Sequence, residues 1–124
     1  MTTAVELAER GHRLVAFTRF NGADVTLSST DKGDLKNYFG IDGVEDQGPG
    51  QYKIYLTSGT VSNANYLVVV GYIPDYFFNS GSSAAARLAF VKTTDANYVE
   101  IQSGYMGANS VGFLEFDISV AIFV

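Results

Sequence analysis

Four groupings of residues have the types and spacing to do chemistry, and each has a plainer reading. Ala108-Asn109-Ser110-Val111-Gly112 is one residue from the Gly-x-Ser-x-Gly nucleophile elbow. That elbow needs a strand before it and a helix after it, and here a long alternating strand pattern follows, so the segment reads as a loop. The single His12 lies between Arg10 and Arg13, far along the chain from that serine. Asp42, Glu45 and Asp46 cluster beside a glycine-rich turn, where carboxylates can ligate Ca²⁺, but the EF-hand spacing is missing and the cluster reads as a solvated turn. Glu115 and Asp117 are two apart in a strand pattern, which puts them on one face. Paired carboxylates serve glycoside hydrolysis, whereas a solvent-facing stripe discourages edge pairing, and the stripe is the simpler account.

Composition narrows the chemistry further. There is no Cys and one His, so thiolate sites, disulfides and multi-histidine metal sites are excluded. No catalytic residue, cofactor or metal is expected, and the chain is read as a non-enzyme. A net charge of -5, with no basic run, argues against nucleic-acid or anionic-membrane partners. The longest apolar stretch, Tyr66 to Ile73, is far short of a membrane span, and Met1 to Arg10 does not have the pattern of a signal peptide.

What the chain has in quantity is aromatic and apolar surface: nine Phe and eight Tyr in 124 residues, with 47% hydrophobic and only 17% charged. Tyr72-Ile73-Pro74-Asp75-Tyr76-Phe77-Phe78, between a strand and a loop, reads as an interface element, with Tyr72, Tyr76, Phe77 and Phe78 as its contact residues.

The elements that must position these residues are strands. From Arg13 onward the period is two, over Arg13–Phe20, Asp24–Ser29, Asn37–Val44, Gln51–Thr57, Asn65–Ile73, Ala86–Thr93, Asn97–Ser103 and Val111–Val124. Tyr52, Ile54 and Leu56 share one face, as do Leu114, Phe116, Ile118, Val120, Ile122 and Val124. The opposite face of that last strand turns apolar at Ala121 and Phe123. Leu67-Val68-Val69-Val70 is apolar on both faces and is expected to be covered on both sides, by the second sheet or by another subunit. Asn21-Gly22 and Asp46-Gln47-Gly48-Pro49-Gly50 mark turns, and Asn79-Ser80-Gly81-Ser82-Ser83 a flexible loop. Asn63-Ala64-Asn65-Tyr66 is echoed by Asp95-Ala96-Asn97-Tyr98, one turn-into-strand device used twice.

This pattern predicts an all-β fold: an antiparallel β-sandwich, Greek-key or jelly-roll-like, of about eight strands over residues 13–124. Residues 1–12 are expected to form a separate arm or short helix. Thr3 and Glu6 have capping-box spacing and Gly11 a C-terminal stop, but the segment is too short to hold itself together. Val5 and Leu7 are expected to dock it on a neighbouring subunit or surface, with Leu7 as anchor.

Four stretches carry a resemblance. They are Ala16-Phe17-Thr18-Arg19-Phe20-Asn21-Gly22, the run from Ile41 through Asp46-Gln47-Gly48-Pro49-Gly50 to Tyr52-Lys53-Ile54, Asn63-Ala64-Asn65-Tyr66-Leu67-Val68-Val69, and the closing Ile118-Ser119-Val120-Ala121-Ile122-Phe123. In order and spacing they resemble a β-module of tailed-phage virion proteins, found at the tips of tail fibres and appendages. Ile54 stands where that module has valine. The resemblance implies a virion structural protein, assembled in the host cytoplasm and homotrimeric. In fibres the module follows a long shaft, while here only Met1 to Arg13 precedes it. The expected role is therefore a capsid decoration (cement) protein that binds the major capsid protein and stabilises the head. A short tail-fibre or appendage module that binds host-surface glycans is the alternative.

Overall fold

The computed structural model describes residues 13–25, 35–73, 85–107 and 111–124. Among them are nine strands: β1 (Leu14–Asn21), β2 (Leu35–Phe39), β3 (Ile41–Asp46), β4 (Gln51–Leu56), β5 (Leu67–Ile73), β6 (Ala85–Thr94), β7 (Tyr98–Gly107), β8 (Val111–Phe113) and β9 (Asp117–Phe123). All pair antiparallel. One sheet runs β2-β1-β9-β5, the other β3-β4-β7-β6, with β8 pairing β7 beyond the end of β4. The two sheets make a β-sandwich. At one side the chain passes from β2 to β3 through Gly40 alone, and at the other β5 and β6 stand side by side without pairing.

The period-two pattern decides which residues meet. On β4, Tyr52, Ile54 and Leu56 point inward, and Ile101 and Val99 stand opposite the first two on β7. On β9, Ile118, Val120 and Ile122 point inward, opposite Phe20, Thr18 and Ala16 of β1. These side chains are buried, and each fully buried Ile or Val stabilises the fold by roughly 1.5–3 kcal/mol. A slip of one residue would turn each whole set outward, so burial fixes the register. Phe20 and Tyr52 join the two sheets edge to face, their rings 5.2 Å apart.

Turn chemistry closes the loops. Asn21 Oδ1 accepts from Ala23 N–H at 2.9 Å, and Asp24 N–H donates back to Asn21 O. The β3–β4 connection uses Gly48 and Gly50, both at positive φ, with Gly48 N–H donating to Asp46 Oδ1. The two echoed tetrads are the same device. Asn65 N–H donates to Asn63 Oδ1 at 2.7 Å, and Asn97 N–H to Asp95 Oδ2 at 2.9 Å. The two turns also dock on each other. Tyr66 Oη lies 2.8 Å from Asp95 O and 2.9 Å from Tyr98 O, while Thr94 Oγ1 donates to Ala64 O.

Two strand expectations are corrected, and a third is described only at its first two residues. Asn37–Val44 is not one strand but two, because Gly40, at φ 69°, sends the chain from one sheet to the other. A Cβ there would come within 2.5 Å of Val15 O, so a glycine is needed at that corner. Val111–Val124 is likewise broken at Leu114–Phe116, where the chain leaves β7 for the facing sheet. Leu114 is held at the crossing by Ser103, whose carbonyl accepts from Leu114 N–H and whose hydroxyl donates to Leu114 O. Asp24 and Val25 belong to the Asn21 turn, and the rest of Asp24–Ser29 lies outside the described residues. So do the arm of residues 1–12 with Val5 and Leu7, the loop at 79–83, His12, Ser110, and Tyr76, Phe77 and Phe78.

Candidate interaction face

The two sandwich faces that point away from the core differ in kind. Across the outer face of the β3-β4-β7-β6 sheet, Glu45 stands opposite Lys53 and Lys53 opposite Glu100. Lys53 Nζ sits 4.0 Å above the Tyr98 ring, and Lys92 reaches Glu100 at 4.0 Å. Alternating charge of this kind is what water-facing sheet surfaces carry, and the large apolar side chain exposed on this face is Phe90 of β6.

The outer face of the β2-β1-β9-β5 sheet is built differently. Its register sets out rows across the strands. Leu67, Phe123 and Leu14 form one row, and Val69, Ala121, Phe17 and Phe39 the next. Leu67 is 59% exposed, Val69 50%, Phe39 48% and Leu14 42%, and Ile73 further along β5 is 58% exposed. Phe17 and Phe39 pack together, ring centroids 5.6 Å apart, at the β1–β2 side. The following row, Gly71, Ser119, Arg19 and Asn37, has small residues at β5 and β9. Between it and the apolar rows lies a shallow depression of about 340 Å³, walled by Phe17, Arg19 and Val69 and floored by Gly71, Ser119 and Ala121. A contiguous apolar patch four strands wide, rimmed by polar groups, is the kind of surface found at protein, membrane or ligand contacts.

The rim is held in place by charge. Asp117 takes Lys36 Nζ at 2.8 Å and Arg19 at 3.4 Å. The hydrogen bond from Lys36, with lesser help from Arg19, holds the Asp117 carboxyl below its usual pKa against a smaller opposing effect of burial.

The residues singled out from the sequence fall in different places. Glu115 and Asp117 do not act as a pair. Asp117 is bound into the rim, whereas burial, and then the nearby Asp46, push the Glu115 pKa up, with a Gly50 N–H offsetting part of the rise. Asp42 accepts from Thr57 Oγ1, Glu45 from Gln47 Nε2 and Tyr55 Oη, and Asp46 from Gly48 N–H, so these three carboxylates have separate partners. Among the described residues, no three His, Cys, Asp or Glu side chains are grouped to hold a metal ion. No described helix is long and apolar enough to cross a membrane. Tyr72 is half-buried against the core, its ring 5.8 Å from Phe116, and points to the opposite side of β5 from Leu67 and Val69.

The two-sided apolar run is resolved in a particular way. Val68 and Val70 pack on the core, while Leu67 and Val69 face outward with nothing from the described chain over them. Leu14, Phe17 and Phe39 were not picked out from the sequence as contact residues. The available signal was apolar residues on both faces of β1 and at Ala121 and Phe123, and only the register shows that they form one surface.

Compared with known proteins, the chain matches no family model, no curated protein and no solved structure.

Proposed function

We propose that this chain is a structural, non-catalytic assembly protein of a phage virion, a capsid decoration protein that docks on the major capsid protein through the outer face of the β2-β1-β9-β5 sheet. The observation that carries the docking role is the apolar patch Leu14, Phe17, Phe39, Leu67, Val69, Ala121 and Phe123, set against the charge-paired outer face of the other sheet. The particle itself is suggested by the resemblance to the phage β-module. A carbohydrate-binding appendage, the second reading, draws on the depression beside Phe17, whose polar lining from Arg19 and Ser119 suits a sugar hydroxyl.

The test is to quantify the protein in virions purified from a lysate that contains it, and to repeat this with Phe39→Lys. Hundreds of copies per particle, lost in Phe39→Lys although that variant keeps its β circular-dichroism spectrum, are the expected result. A few copies per particle, with binding on a glycan array, would favour the appendage. Complete absence from washed virions would sink both readings.

A further inference from the structure

Strand β5 is an edge: it hydrogen-bonds β9 on one side, and no described strand pairs with the other. An unpaired edge is a template for another strand, and proteins commonly blunt such edges with charge or brevity. The remaining edges follow that practice. β2 carries Lys36, β3 carries Asp42, Glu45 and Asp46, β6 carries Arg87 and Lys92, and β8 has three residues. β5, Leu67-Val68-Val69-Val70-Gly71-Tyr72-Ile73, has seven residues and no charge.

We propose that β5 is a self-association edge, through which two copies of this chain pair antiparallel about a two-fold axis at Val70. The occupant is argued from charge and pattern. When a strand whose charges are all of one sign pairs with its own copy, that charge is doubled along the seam, so self-pairing is disfavoured for the acidic β3 and the basic β6. In a chain of net charge -5, β5 is the long edge that escapes this. Centred on Val70, all seven residues pair. Leu67 meets Ile73 of the second copy, Val68 meets Tyr72, and Val69 meets Gly71, each large outward residue lying beside apolar or small neighbours. The axis stands perpendicular to the sheet, so both outer faces stay on one side. Two four-stranded sheets become one of eight strands, and the two apolar faces join.

The edge is modest in area. Seven residues span about 23 Å, and with the thickness of one sheet layer, about 10 Å, as the depth, the contact covers roughly 230 Å² per copy. That is below the standard size for a stable complex, so the dimer is expected to form at about 10–100 μM rather than nanomolar concentration. The two-fold pair departs from the homotrimer that the resemblance implies, does not depend on the virion role, and is tested without a particle.

Sedimentation of the full chain from about 5 to 500 μM is expected to move from 13.4 kDa towards twice that mass. Val69→Lys, a change at a half-exposed outward position, is expected to weaken the dimer at least tenfold with an unchanged circular-dichroism spectrum. The chain has no cysteine, so Val70→Cys gives a clean second arm. Opposed residues in an antiparallel pair lie about 4.5–5.5 Å apart at Cα, within disulfide reach, and mild oxidation is expected to link two chains there but not at the exposed Ser62→Cys. A monomer throughout, a trimer mass, a dimer indifferent to Val69→Lys, or equal linking at both cysteines would overturn the proposal.

Discussion

Tyr52→Phe is expected to stabilise this protein, against the usual sign for a change in a packed core. Tyr52 is 1% exposed, and its hydroxyl is buried without a hydrogen-bond partner. Ser103, the hydroxyl beside it, donates to Leu114 O instead. The phenol points at Gly22, where an added Cβ would come within 1.9 Å of Tyr52 Oη, so little room remains for the group to turn towards another acceptor. A buried polar group left unpaired costs about 1–3 kcal/mol. Removing the oxygen leaves a void of about 15 Å³, which at about 24 cal/mol per Å³ costs about 0.4 kcal/mol. The ring stays, and with it the edge-to-face contact with Phe20. The net gain is therefore roughly 0.6–2.6 kcal/mol, each kcal/mol being worth roughly 3–5 °C in Tm for a domain of this length. Urea unfolding of both proteins measures it. Burial first, then Glu115, hold the phenol pKa well above its ordinary value against smaller lowering effects of the nearby Ser103 hydroxyl and Gly50 backbone, neither of which completes a hydrogen bond to it, so it is neutral in both states at moderate pH. The gain should accordingly be the same at pH 6 and pH 8. A loss of 1 kcal/mol or more would refute the reasoning, because it would mean that the hydroxyl makes a bond in solution.

Two further outcomes follow from the same structure. Tyr66→Phe leaves Asp95 O and Tyr98 O without the hydroxyl that ties the two echoed turns together, and a loss of about 1–3 kcal/mol in urea unfolding is expected; no loss would mean that water replaces the phenol freely. Asp117→Asn bears on the polar rim: the folded carboxyl titrates below its ordinary value of 3.8, so its contribution is present above that pH and lost as pH falls through the lower folded pKa. The wild type is expected to exceed the variant by about 1 kcal/mol at pH 7, given how exposed Lys36 and Arg19 are, and to match it near pH 2. A difference that does not change with pH would show that the ion pairs are not its source.

The sequence by itself determined the strands and the core, because those depend on local pattern. Alternation in Gln51–Leu56 and Asp117–Phe123 named the buried faces, and Asn21-Gly22, Gly48-Pro49-Gly50 and the two Asx tetrads named the turns. Side-chain period and backbone freedom act over a few residues, so a single chain suffices to read them. Where the chain changes sheet was not legible in the same way. Gly40 and Leu114–Phe116 interrupt patterns that still alternate, and the interruption exists because a second sheet waits on the other side of the core. The apolar outer face lay further still from the sequence. Leu14, Phe17, Phe39, Val69 and Phe123 come from four strands spread over more than a hundred residues, and only the register of β1, β2, β5 and β9 sets them side by side. The pairing of Glu115 with Asp117, which spacing alone suggested, was dissolved by the same tertiary placement. One carboxylate meets two cations and the other meets burial and Asp46, because neighbours brought in from distant strands, not sequence separation, set each group's electrostatic environment.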